Sequence, residues 1–285
     1  FNSLSCKVNM KIYKLAHNTV DDKDYKVLIN FLKNRKYLNQ SKITKAFEQK
    51  FSIFLGSKTS TFVNSGSSAN LLIAQTLLEG NYLKNKVAIL PAVSWSTTVS
   101  PYLQLGYKVI LCDCDKENLG ISITHLEQIC KKYNPGLLVL VNVLGHGNDS
   151  ERMLHLKRKY NFQIIEDNCE SMGAEYESKQ TGTWGHVGTF SMFFSHHIST
   201  MEGGMVVTDD ERTYHILLAL RAHGWTRELP QQNHIANKSD DWFEESWNFV
   251  LPGYNLRPTE LQAAVGLEQM RKLPDLIKAR QVNAK

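Results

Sequence analysis

At 285 residues, 42% hydrophobic and 21% charged, the chain can bury a full core in one or two domains, and no apolar run approaches the ~20 residues that cross a bilayer. A formal charge of +5 and a pI near 8.8 suit an anionic ligand, but the basic residues are scattered, which argues against a nucleic-acid partner. Five cysteines without a Cys-x-x-Cys pair argue against a disulfide framework or a zinc site, so no metal is expected and a reducing cytoplasm fits.

The first residues, Phe1 to Lys7, show no initiator Met and no signal-peptide core. The charge run from Lys11 to Lys36 reads as a solvated helical face. Between Asp21 and Phe54, apolar positions recur at helical spacing, Tyr25, Leu28, Ile29 and Leu32, then Ile43, Phe47, Phe51 and Phe54. A break at Asn39-Gln-Ser41 divides them, which predicts two helices. Thr61 to Gln75 runs from a short β-prone piece through a turn of small residues into a helix. Gly66, Ser67 and Ser68 lie where free N–H groups and the helix dipole converge, making a candidate phosphate cradle. Serines at a helix start are also ordinary caps.

Four apolar runs follow, Val87–Leu90, Lys108–Leu111, Leu137–Val141 and Gln163–Ile165, each separated by a helix-length stretch. That alternation predicts an α/β fold, a mostly parallel sheet between helices. Ligands in such folds collect beyond the carboxyl ends of the strands. Trp95 comes just after the first run, and Asp167 and Glu170 just after the fourth. Met205–Thr208 predicts a further strand, Tyr214–Leu220 a helix, and Pro258–Lys285 another helical stretch. Between them, Arg221–Ser246 reads as a long polar loop of the kind that serves as a lid or binding loop. There is no internal repeat.

Three blocks carry a resemblance: Gly188-Thr-Phe-Ser-Met-Phe-Phe-Ser-His-His-Ile-Ser-Thr-Met-Glu-Gly-Gly204, Arg221-Ala-His-Gly-Trp-Thr-Arg227 and Gly253-Tyr-Asn-Leu-Arg257. They resemble the DegT/StrS family of sugar aminotransferases, which use pyridoxal 5'-phosphate (PLP) on the aspartate-aminotransferase fold. The resemblance implies a large PLP-binding domain over residues 1–257. It further implies a connecting helix and the start of a small C-terminal domain, largely missing here, over 258–285. It places Trp95 against the pyridine ring, Asp167 at the ring nitrogen, Glu170 near the 3-hydroxyl, and Ser191 with Gly66, Ser67 and Ser68 at the phosphate. Asn255 would reach the phosphate of a partner subunit, so that a homodimer shares its active sites, and Arg257 would hold the amino donor's carboxylate. His223 and Arg227 are candidates for nucleotide-sugar contacts.

One position departs from most of the family. His196 stands where a lysine normally holds PLP covalently, and no lysine lies between Lys179 and Lys238. An imidazole can move protons but cannot form that bond. The same exchange marks a subgroup of nucleotide-sugar 3-dehydratases. It implies a cycle between PLP and pyridoxamine 5'-phosphate (PMP), with glutamate as amino donor and a nucleotide-linked 4-keto-6-deoxyhexose as substrate. In that cycle His196 serves first as base and then as acid. The alternatives are a CDP-sugar 3-dehydratase that relies on an iron–sulfur cluster, an ordinary sugar aminotransferase, and a degenerate regulatory or sugar-binding protein. The persistence of Gly66, Asp167, Ser191 and Asn255 weighs against the last.

Overall fold

The computed structural model describes residues 16–34 and 37–284. Cys6 and the parts of the charge run before residue 16 and at Arg35 and Lys36 lie outside them. The elements in order are α1 (Asp22–Asn34), α2 (Lys42–Leu55), β1 (Thr59–Val63), α3 (Gly66–Glu79), β2 (Val87–Pro91), α4 (Ser96–Gln104) and β3 (Lys108–Cys112). There follow α5 (Ile123–Tyr133), β4 (Leu137–Val141), α6 (Ser150–Tyr160), β5 (Gln163–Asp167), a short hairpin of β6 (Glu175–Tyr176) and β7 (Lys179–Gln180), and β8 (Val187–Ser191). The chain continues through β9 (Gly204–Thr208), α7 (Glu211–Arg221), α8 (Trp242–Ser246) and α9 (Glu260–Asn283).

Seven strands form one sheet in the order β1-β9-β8-β5-β4-β2-β3, with antiparallel pairing only where β9 meets its two neighbours. The apolar runs of β2, β4 and β5 are continuous because both faces are covered, whereas β3, at the sheet edge, leaves Leu111 exposed. Along β2, β4 and β5, the residues Ala88, Leu90, Leu137, Val139 and Ile165 pack toward α3 and α7. Their neighbours Ile89, Leu138, Leu140 and Ile164 pack instead with Leu126 of α5 and Met153 of α6. At the other end of the sheet, Phe62, Phe190 and Met205 meet Phe47 and Phe51 of α2 and Met270 and Leu273 of α9. Each such buried side chain contributes roughly 1.5–3 kcal/mol by leaving water.

The two N-terminal helices form as predicted, but the face of α1 that is buried is not its apolar stripe. Asp24 and Phe31 are buried, whereas Tyr25, Ile29 and Leu32 are exposed. Asp24 is drawn in by an ion pair with Lys272 and a hydrogen bond from Gln269, both on α9. A second difference is β8, which the sequence analysis did not assign as a strand. Val187-Gly-Thr-Phe-Ser191 holds strand formers in Val187, Thr189 and Phe190 but is short and interrupted by Gly188; it lies between β5 and β9 with all five residues buried. Gly188 is required there, since a Cβ would stand 2.0 Å from the carbonyl oxygen of Gly182. The supposed long loop after α7 is partly structured: it ends in α8, with Thr226 and Lys238 both tied to Glu245.

Among the described residues, no helix is long and apolar enough to cross a membrane, and no cluster of His, Cys, Asp and Glu could hold a metal ion.

Candidate functional site

The site begins at the start of α3. Ser65 is extended and caps the helix, its hydroxyl accepting from the N–H of Ser68 at 3.0 Å. The N–H groups of Gly66 and Ser67 precede the first helical bond and point outward with the helix dipole. Gly66 lies directly against Ser191 at the end of β8, where a Cβ on Gly66 would come within 2.6 Å of the serine Cβ. Ser67 is exposed and shares a 2.8 Å hydroxyl contact with Thr97 at the start of α4. A glycine that admits close approach, two free N–H groups and several hydroxyls at one point suit a phosphate monoester.

Asp167 ends β5 and is buried. Its Oδ2 accepts from Nδ2 of Asn70 at 2.9 Å and from the hydroxyl of Thr98 at 2.8 Å, and its Oδ1 from the N–H of Cys169 at 3.2 Å. A carboxylate held by donors from three segments stays in one orientation. Burial, with the Asp167 charge added, pushes the neighbouring Cys169 thiol well up, so it is an inert side chain there. Glu166, one residue earlier, faces the other way and accepts from the N–H groups of Gly182, Trp184 and Gly185, which fixes the turn leading into β8.

His196 lies in the turn between β8 and β9, half-buried beside Phe193. Burial lowers its pKa, Glu170 and Asp167 pull the other way, and the Arg280 guanidinium adds to the lowering. Arg280, on α9, also donates to the backbone carbonyl of His196 at 3.0 Å. The ring is therefore neutral and basic near pH 7 while two carboxylates lie close enough to stabilise its charged form. Glu170 is exposed, and accepts from the N–H of Leu144 at 3.2 Å. Trp95 is not a core residue: it precedes α4 with 73% of its surface exposed.

Asn255, Arg257, His223 and Arg227 form a separate group. The Asn255 amide oxygen accepts from Arg257 at 3.0 Å, Arg257 lies 3.2 Å from the His223 ring, and Arg227 stacks over Trp225 at 4.3 Å while donating to the carbonyl of Ser246. Among the described residues no hydrogen bond joins this group to Asp167 or Ser191, but the carbonyl of Leu256, between Asn255 and Arg257, accepts from the N–H of Asn64 at 3.0 Å, one residue before the Ser65 cap.

The family model for the DegT/DnrJ/EryC1/StrS aminotransferases matches residues 18–285. The chain belongs to that family. It is 46% identical, over 95% of its own length and 70% of the relative's, to GDP-4-keto-6-deoxy-D-mannose 3-dehydratase of Yersinia pseudotuberculosis. Among solved structures it is similar to a GDP-4-keto-6-deoxymannose 3-dehydratase with a trapped PLP-glutamate geminal diamine, with a TM-score of 0.86, 44% identity and coverage of 92% of this chain and 69% of that one. A histidine-to-asparagine variant of the same kind of enzyme with bound GDP-perosamine gives a TM-score of 0.88 at 44% identity, over 96% of this chain and 71% of that one.

Within this DegT/DnrJ/EryC1/StrS fold, sequence reasoning missed the residues that hold Asp167. Asn70 follows Gly66 and Ser67 at helical spacing, which puts all three on one face of α3, and that periodicity was the available signal. Thr98 and Arg280 carried no signal, because their roles depend on segments that meet only in the folded chain. His197 is buried with its Nδ1 unpartnered, and burial brings its pKa down to about 3.

Proposed function

We propose that this chain is the catalytic portion of a PLP/PMP-dependent 3-dehydratase that acts on a nucleotide-linked 4-keto-6-deoxyhexose, GDP-4-keto-6-deoxy-D-mannose in particular, with glutamate as amino donor. The observation that carries the reading is His196: a half-buried imidazole stands where most of the family carries the PLP lysine, within electrostatic reach of Asp167 and Glu170. When bound, PLP supplies a protonated ring that accepts electrons, and its amine form PMP supplies the nitrogen that engages the sugar ketone.

The chain's own residues do the rest. Gly66, Ser67, Ser68 and Ser191 hold the phosphate, Trp95 covers the ring, Asp167 keeps a proton on the ring nitrogen, and Glu170 lies near the 3-hydroxyl. His196 would act as a neutral base, taking a proton from the C4′ carbon of bound PMP as that C–H bond breaks. It then gives that proton to the departing C3 hydroxyl, which is too poor a leaving group to go unprotonated. A lysine here would retain PLP covalently and favour amine transfer. Arg257 holds the glutamate carboxylate, Arg227 and His223 contact the nucleotide sugar, and Asn255 completes the phosphate site of a second copy in a homodimer. Residues 1–257 form the PLP-binding domain, and 258–285 lead toward a small domain.

The test is an absorbance spectrum with added PLP, before and after borohydride, and then with glutamate. PLP that remains non-covalent after reduction, yet converts to the PMP spectrum with glutamate, supports a histidine-based dehydratase. A reduced lysine adduct would indicate an aminotransferase, and absence of binding a non-enzymatic protein.

A further inference from the structure

Asp167 and Thr189 are register partners on the parallel strands β5 and β8, so their side chains project from the same face of the sheet. That face is covered by α3, and the residue of α3 that lies between them is Asn70, 7% exposed. Its amide oxygen accepts from the Thr189 hydroxyl at 2.8 Å, and its amide nitrogen donates to Asp167 Oδ2 at 2.9 Å and, at 3.4 Å, to the carbonyl of Thr97. Because a hydroxyl proton occupies the oxygen side, the amide has one orientation that satisfies all of its partners. The buried Thr98 hydroxyl supplies the second donor to the same Oδ2.

Two consequences follow. Oδ2 of Asp167 is saturated by two side-chain donors, whereas Oδ1 has only the N–H of Cys169 at 3.2 Å, which leaves Oδ1 as the oxygen with a free lone pair. In addition, Asn70 lies one helical turn beyond Gly66 and Ser67 on the same helix. A hydrogen bond from this position to β5 therefore fixes how far the phosphate cradle stands from the carboxylate.

We infer that Asn70, oriented by Thr189, is a positioning residue that sets the register of α3 on β5 and presents Oδ1 of Asp167 to the ring nitrogen of a pyridine cofactor whose phosphate the start of α3 holds. The inference rests on the proposed PLP site. Oδ2 never meets the cofactor; its two donors fix the orientation of the carboxylate and with it the point at which Oδ1 meets the ring nitrogen.

The experiment compares the full wild-type chain with Asn70→Ala, Thr98→Val and Thr189→Val. It measures PLP affinity by quenching of intrinsic fluorescence and the absorbance of bound PLP from pH 6 to 9, with thermal melting of the PLP-free proteins as a fold control. Asn70→Ala and Thr98→Val should each weaken PLP binding by about tenfold or more, the loss expected for one hydrogen bond to a charged group. They should also make the bound spectrum change with pH, where the wild-type spectrum stays constant. Thr189→Val keeps both donors to Asp167 and should show a smaller change of the same kind. If Asn70→Ala does not fold, Thr98→Val decides, since it removes the other donor to the same oxygen. Wild-type affinity and a constant spectrum in the folded variants overturn the inference alone, as does weaker binding with a pH-independent spectrum, which would mean a merely structural role. A wild-type chain that binds no PLP overturns the functional reading and this inference with it.

Discussion

His197 should make this fold acid-labile, and replacing it should remove that lability. The ring is buried with Nδ1 unpartnered, and its pKa falls from 6.5 to about 3, chiefly through burial, with the charge of Arg280 and the neighbouring His196 adding to it. Above pH 6.5 the ring is neutral both folded and unfolded, and contributes no pH dependence. As the pH drops below 6.5 the unfolded chain takes up a proton that the folded chain refuses, so stability declines until the pH nears 3. At about 1.36 kcal/mol per unit, this one residue removes roughly 2–3 kcal/mol between pH 7 and pH 4.5. For 285 residues the unfolding entropy is about 0.6 kcal/mol/K, so the loss equals roughly 4 °C in melting temperature. His197→Leu fills much of the same space without a titrating group or an orphaned nitrogen. Its melting temperature, followed by circular dichroism from pH 7.5 to pH 4.5, should fall by about 4 °C less than that of the wild type. Parallel decline of the two proteins would refute the assignment of acid sensitivity to this ring.

Gly66→Ala places a methyl group 2.6 Å from the Ser191 Cβ; displacing the end of β8 from α3 should cost about 1–3 kcal/mol in urea unfolding and weaken PLP binding by about tenfold. On the proposed role of His196 as a neutral base, its lowered pKa means that activity should hold as the pH falls to 6.5 and decline only below it. Arg280→Gln removes a charge that contributes to that lowering, so the acid limb of the rate profile should move to higher pH, whereas an unmoved limb would show that Arg280 only braces the turn. Arg221 is fully buried and donates to Glu48 at 2.6 Å and Glu228 at 2.7 Å. Arg221→Met strands Glu48, whose pKa burial already raises against the pull of that guanidinium; it should lose about 3–5 kcal/mol by urea denaturation, and adding Glu48→Gln should recover part of the loss.

The chain's local chemistry was legible as far as local causes reach. The runs at Val87, Leu137 and Gln163 declare buried parallel strands because covered faces demand apolar residues on both sides, whereas the run at Lys108 became the edge strand β3, with Leu111 exposed. The turn at Ser65 to Ser68 declares a helix start, because orphan N–H groups need a cap. Asp167 was legible because it directly follows one of those runs, where ligands gather, and His196 because it departs from a recognisable block. Tertiary structure decided what depends on partners distant in sequence. It made Val187–Ser191 a strand inside the sheet, although Gly188 interrupts its strand-forming residues, by giving it β5 and β9 to pair with. It turned the exposed stripe of α1 outward because Asp24 found Lys272, and it set Asn70 between Asp167 and Thr189, 97 and 119 residues away. It also joined Asn255, Arg257 and His223 in one hydrogen-bonded group. Spacing along a chain records which face a side chain takes, whereas the identity of what meets that face is settled only when the sheet and its helices close on one another.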